Sequence, residues 1–256
     1  MKARRCSLRT IKRISAGLGA GALYALSFGV SAQDALSDLD DAAARMQYAY
    51  YTADSRALEE ALSLIAAMEA SPVPGLKEYF SAYGEWKLAQ LYAEAQASGK
   101  NVNPGKAAQE CVRQAKAAIA ANARMAEAHA IQAICAGSKP SGGDCSAKPL
   151  RNALELEPQN PRVRLIELLC VGSKELPTAN SLQRARALVA AFESAPPSRP
   201  GKPDWGQAEA LVLLGQIYLE RGDSVAARDS IERALVVAPD YRRAQQLLQT
   251  VSTHSK

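Results

Sequence analysis

Residues 208–241 read AEALVLLGQIYLERGDSVAARDSIERALVVAPDY, a run of 34 residues rich in Ala and Leu. Its apolar residues recur at spacings of three and four, which predicts helix. Small residues at Gly215, Ala227 and Ala234 fit a close crossing of two antiparallel helices, and Pro239 ends the second helix. The stretch therefore predicts two packed helices.

The rest of the chain after residue 32 has the same character. It is rich in helix formers, poor in β-branched residues, and interrupted by short clusters of Pro, Gly, Asn and Ser. This composition predicts an all-α protein, built either as a bundle or as a solenoid of helix pairs.

A period search distinguishes between these two architectures, because the 208–241 stretch resembles a tetratricopeptide repeat. With Ala208 as position 1, the residues that carry the resemblance occupy positions 4, 7, 8, 11, 20, 24, 27 and 32: Leu211, Leu214, Gly215, Tyr218, Ala227, Ile231, Ala234 and Pro239. The resemblance implies a right-handed solenoid of antiparallel helix pairs.

Weaker matches upstream keep the same phase. Residues 153–160 are similar to the end of a second helix, and residues 126–129 to the start of a first helix. We expect an irregular N-terminal helix pair at 33–75 and about four repeats with a C-terminal capping helix at 76–251. Residues 252–256 are expected to be a tail.

The net charge of +5 comes from the first 32 residues, which hold six Lys and Arg and no Asp or Glu. Residues 33–256 have 25 basic and 26 acidic residues, so their charge gives no reason to expect binding to nucleic acid.

A basic stretch, an apolar run and the small residues Val30-Ser31-Ala32 predict a secretory signal peptide over 1–32. A retained anchor is the alternative, but the run of about 17 residues is short for a span of about 20. We expect an exported protein, periplasmic or secreted, with no stable membrane insertion after cleavage.

Four cysteines follow the leader: Cys111, Cys135, Cys145 and Cys170. An even number in an exported chain suggests disulfides. On the repeat, Cys111 is equivalent to Cys145 and Cys135 to Cys170, so the repeat phase predicts Cys111–Cys135 and Cys145–Cys170 bridges between adjacent helices. Pairing Cys111 with Cys145 would span a full repeat, about 10 Å against a limit near ~7 Å. Pairing Cys135 with Cys145 is feasible within one hairpin, but it would leave Cys111 and Cys170 two repeats apart. Free buried thiols or a four-thiolate metal site are alternatives, although the spacing lacks Cys-x-x-Cys.

The sequence contains few residues suited to catalysis. His254 lies in a polar tail, and His129 takes a repeat position that usually buries a large side chain. There is no phosphate-binding Gly loop, nucleophile elbow or His-Glu-x-x-His motif. We therefore expect neither an enzyme, nor a metal site, nor a cofactor.

Two surfaces are candidates for recognition. The resemblance implies that first-helix positions 2, 5, 9 and 12 line a concave groove for a peptide. In this sequence the groove residues include Ala130, Ile134, Arg162, Leu165, Leu169, Val212 and Gln216. The alternative is that the protein's own helices cover this groove. Tyr79, Tyr83 and Trp86 share a helix face, where they either pack in the core or form an exposed aromatic surface.

The sequence thus predicts an exported interaction module or scaffold that binds an envelope protein or a peptide segment of one. A glycan- or cell-wall-fragment-binding protein that uses the aromatic region is the alternative.

Overall fold

A computed structural model describes residues 32–69, 71–137, 144–172, 175–196 and 201–254. The predicted leader lies outside the described residues apart from Ala32, which is the first residue of α1, so the predicted cleavage site after Ala32 falls at the start of that helix. The described residues form helices and no strands, so the prediction of an all-α protein is confirmed. The helices are α1 Ala32–Tyr51, α2 Ser55–Ala67, α3 Leu76–Ala97, α4 Pro104–Ala121, α5 Ala126–Cys135, α6 Ala147–Leu156, α7 Pro161–Leu169, α8 Ala179–Glu193, α9 Gln207–Glu220, α10 Ser224–Val237 and α11 Arg242–His254.

Local sequence signals explain several helix starts. The side chains of Asp54, Asn103 and Asp223 each accept a hydrogen bond of 3.0 Å from the backbone N–H three residues later. These contacts satisfy N–H groups that have no partner within the helix. Proline follows as the first residue of α4 and α7, where its missing N–H costs nothing.

Each helix packs against the next one along the chain, from α1 to α11. A second set of contacts joins α1 to α3, α3 to α5, α5 to α7 and α9 to α11. At the α9–α10 crossing, a Cβ on Gly215 would lie 2.7 Å from the Ile231 side chain. This close approach agrees with the sequence-based prediction of a small residue at the crossing of the two helices. The last helix continues to His254, three residues beyond the predicted end near Val251, so the expected tail is partly helical.

Both disulfides have the predicted pairing. Cys111–Cys135 joins α4 to α5 with a Cα–Cα distance of 6.2 Å. Cys145–Cys170 joins the segment before α6 to the end of α7 with a Cα–Cα distance of 5.5 Å. Such bonds are typical of proteins in oxidising compartments. None of the helices in the described part of the chain is both long and apolar enough to cross a lipid bilayer.

Candidate functional site

The interior is organised around α3, which is buried on nearly every side over its first four turns. Tyr79, Tyr83 and Trp86 are all buried there. They therefore do not form an exposed aromatic surface, and core packing, the alternative considered from the sequence, is what the structure has. The physical reason is that helices pack on several sides of α3, including α1, α2, α4 and α5.

Trp205, from the segment before α9, fills the space beside these aromatics. Its ring stacks on Tyr83 at 5.0 Å between centroids and meets Trp86 edge-on at 5.6 Å. Its indole N–H donates to the Tyr79 hydroxyl (2.7 Å), which in turn donates to the Glu127 carboxylate (2.6 Å). Two hydrogen bonds thus link Trp205, just before α9, to Tyr79 on α3 and, through it, to Glu127 on α5.

A buried ion pair lies in the same interior. Lys87 of α3 is 1% exposed and Glu209 of α9 is 7% exposed, and their Nζ and Oε1 atoms are 3.3 Å apart. Glu209 Oε2 also accepts hydrogen bonds from the Tyr51 hydroxyl (2.9 Å) and the Gly206 N–H (3.2 Å). The Lys87 ammonium lies 4.2 Å from the Tyr50 ring centroid. A buried charge pair requires this density of partners, because unpaired charges are costly in the interior.

The tyrosines act here as neutral hydrogen-bond donors. Burial, followed by the negative charge of Glu209, raises the pKa of Tyr51 well above its usual range. Burial, followed by the charge of Glu127, does the same to the pKa of Tyr79. Both hydroxyls therefore keep their protons at neutral pH and can hold the carboxylates in place.

Further contacts join the first helix to the C-terminal part of the chain. The Tyr51 and Tyr241 rings lie 4.6 Å apart between centroids. The Gly201 N–H donates to the Asp40 carboxylate at 2.8 Å. Together with the Tyr51–Glu209 bond, these contacts hold α1 against the segment before α9 and the start of α11.

The predicted groove residues are divided between the interior and its edges. Ala130, Ile134, Leu165 and Val212 are buried, so a partner could not reach them in this conformation. The remaining three are partly exposed: Arg162, Leu169 and Gln216. Four of the seven predicted groove residues are therefore closed to a partner in this conformation, whereas Arg162 also lines the open cleft described next.

An open cleft of about 820 Å³ remains beside this interior. It lies between α1, the segment 201–206, the start of α7 and the turn from α10 to α11. Its lining includes buried aromatic rings and more accessible apolar and charged side chains: Tyr51, Phe192, Trp205, Tyr48, Val237, Arg162, Lys202, Asp204 and Asp240. An apolar floor with charges of both signs around it is suited to binding a polypeptide segment.

The described residues bring no reactive groups together in this cleft. His129 is buried, and its Nε2 donates to the Ala123 carbonyl oxygen at 3.0 Å, as suits a packing residue. Burial, followed by the charge of Glu110, raises the pKa of Glu85 to about 7. Glu85 does not line the cleft, and a single shifted carboxyl is not a catalytic arrangement. Within the described ranges, no group of three or more His, Cys, Asp or Glu could hold a metal ion.

The sequence did not predict that Trp205 and Lys87 would lie in this interior. Trp205 follows the Pro- and Ser-rich break at 194–204, which indicates only a loop. A signal for Lys87 did exist, because it lies in the middle of a helical run with apolar residues on every face. No protein-family model and no curated protein sequence matches this chain.

Proposed function

We propose that the protein is an exported, tetratricopeptide-like scaffold that binds a segment of an envelope protein without catalysing a reaction. In this proposal the helix pairs form a right-handed solenoid, residues 1–32 direct export, and the periplasm is the default location. The repeat phase of residues 208–241, the close crossing at Gly215 and the two equivalent disulfides support the solenoid.

The open cleft beside α1 carries the proposal for binding. Because four of the seven groove residues are buried, we place the peptide site in this accessible cleft instead. Val237 on its wall is 44% exposed, while Trp205 and Phe192 supply a buried apolar floor. Accessible apolar side chains beside a preformed floor can gain affinity without the cost of opening the core.

The glycan-binding alternative has less support in the structure, because the three aromatic residues named for its surface, Tyr79, Tyr83 and Trp86, are buried. Protein binding is therefore the single function proposed.

Site-specific photocrosslinking tests the cleft. A photoreactive amino acid at Val237 is expected to give a defined adduct with one envelope protein in cells. The same group at Val225, an 83% exposed residue that does not line the cleft, is the matched control on the same helix and should give no such adduct.

The mapped segment then allows an affinity measurement with a synthetic peptide. Val237→Asp is expected to weaken binding at least about tenfold, equivalent to about 1.4 kcal/mol, whereas Val225→Asp should leave it unchanged. Equal adducts at both positions, or an affinity indifferent to Val237→Asp, would remove the cleft as the binding site.

A further inference from the structure

The outer face of the α1–α2 pair carries a second groove, of about 910 Å³. Its floor is made of small side chains from both helices: Ala44, Ala49, Ala57 and Ala61. Two large apolar side chains project beside them, since Tyr48 is 60% exposed and Leu64 is 46% exposed. Small and large apolar groups alternate on this face, as they do where the ridges of one helix pack into the grooves of another.

This face differs from the other end of the helix array. The terminal helix α11 exposes polar side chains, among them Arg242, Gln245 and Gln246. A polar outer helix of this kind protects the end of a repeat array from association. The α1–α2 groove also has polar side chains in its lining, but Tyr48 and Leu64 are large exposed apolar side chains of a kind that α11 does not show. Large exposed apolar side chains at one place mark an interaction surface.

Charges of both signs border the groove. Arg45 lies on α1, and Glu60 lies on α2, where it forms a 3.1 Å ion pair with Arg56 in the same helix. Arg45 has no carboxylate partner among the described residues. Arg45 and Glu60 lie at similar heights, because each is about one and a half helical turns from the turn that joins α1 to α2.

We propose that this face binds a second copy of the same chain around a twofold axis parallel to the two helices. The rotation places α1 of one copy over α2 of the other. Tyr48 then lies over the floor at the partner's Ala57 and the partner's Ala61, and Arg45 faces the partner's Glu60. The symmetry repeats each contact, so that four helices form a bundle with two intermolecular ion pairs.

Charge complementarity is the observation that argues for a second copy as the occupant of this face. A twofold axis brings each surface against itself, so an isologous interface needs positive and negative groups at positions that the rotation exchanges. Arg45 and Glu60 meet this requirement. A surface for a partner of one charge sign would instead carry an excess of the opposite sign.

Sedimentation velocity of the exported chain tests the proposal, with variants in which the charges of Arg45 and Glu60 are reversed. The wild type is expected to sediment as a concentration-dependent dimer. Arg45→Glu and Glu60→Arg should each raise the dimer dissociation constant about tenfold or more, because like charges would then face each other across the axis. The double variant Arg45→Glu/Glu60→Arg should restore it to within about threefold of the wild type.

Two further variants identify the surface. Leu64→Arg should abolish the dimer with an unchanged circular dichroism spectrum, since this side chain is exposed in the monomer. Val225→Arg, on a distant exposed position, should have no effect. The proposal would be overturned if the wild-type protein stayed monomeric at every concentration up to about 1 mM. It would also be overturned if the dimer dissociation constant were unchanged by Arg45→Glu. The groove and the cleft share Ala44 and Tyr48, so the variants avoid both residues: Val237 lines the cleft alone, whereas Arg45, Glu60 and Leu64 line the groove alone, and the two tests therefore report on different surfaces.

Discussion

Replacement of Lys87 with methionine is expected to lower the free energy of unfolding by about 3–5 kcal/mol. Methionine keeps most of the side-chain volume, so little packing is lost. The cost arises because the Glu209 carboxylate, 7% exposed, would stay buried without its 3.3 Å cationic partner. Urea denaturation followed by circular dichroism measures the change directly.

A paired substitution separates the charge from the packing. Lys87→Met/Glu209→Gln should recover at least half of the loss, because glutamine can still accept hydrogen bonds from Tyr51 and Gly206 without a buried charge. Arg56→Met, in the exposed Arg56–Glu60 pair, is the surface control and should cost less than about 0.5 kcal/mol. If Lys87→Met costs no more than Arg56→Met, the pair is not buried as described.

Truncation of Trp205 to alanine is expected to cost about 3–5 kcal/mol. The change removes the ring that stacks on Tyr83 and the indole N–H that donates to Tyr79. It would also leave a cavity between α3 and α9, because Trp205 is itself buried. Thermal and urea unfolding of the variant, with the wild type alongside, provide the measurement.

Trp205→Phe is the matched control because it keeps an aromatic ring and removes the indole donor. We expect it to cost less than the alanine variant by about 2 kcal/mol, since most of the apolar burial is retained. Phenylalanine and alanine variants of equal stability would contradict the close packing of Trp205 on Tyr83. A loss below about 1 kcal/mol for Trp205→Ala would contradict its burial.

Features with a local or periodic signal could be predicted from the sequence. Helix starts follow from capping residues such as Asp54 and Asn103, and the fit at Gly215 follows from the repeat pattern. The disulfide partners follow from phase, because Cys111–Cys135 and Cys145–Cys170 have nearly the same separation along the chain, 24 and 25 residues.

Contacts between distant segments could not be predicted in this way. Lys87 pairs with a carboxylate on α9, and Trp205 contacts an aromatic ring on α3. Neither periodicity nor spacing encodes such pairings, since they join segments that are far apart along the chain. The groove residues illustrate the consequence: Ile134 and Leu165 are assigned to first helices, but the packing that buries them has no signal in their own segments.

The end of the first helix contacts the C-terminal part of the chain, and the protein's own side chains fill the interior. Nuclear Overhauser spectroscopy on aromatic-labelled protein tests this most directly. We expect cross-peaks between the rings of Tyr51 and Tyr241, whose centroids are 4.6 Å apart, and between those of Tyr83 and Trp205, at 5.0 Å. A well-dispersed spectrum of the folded protein that lacks both cross-peaks would show an open interior and contradict the account.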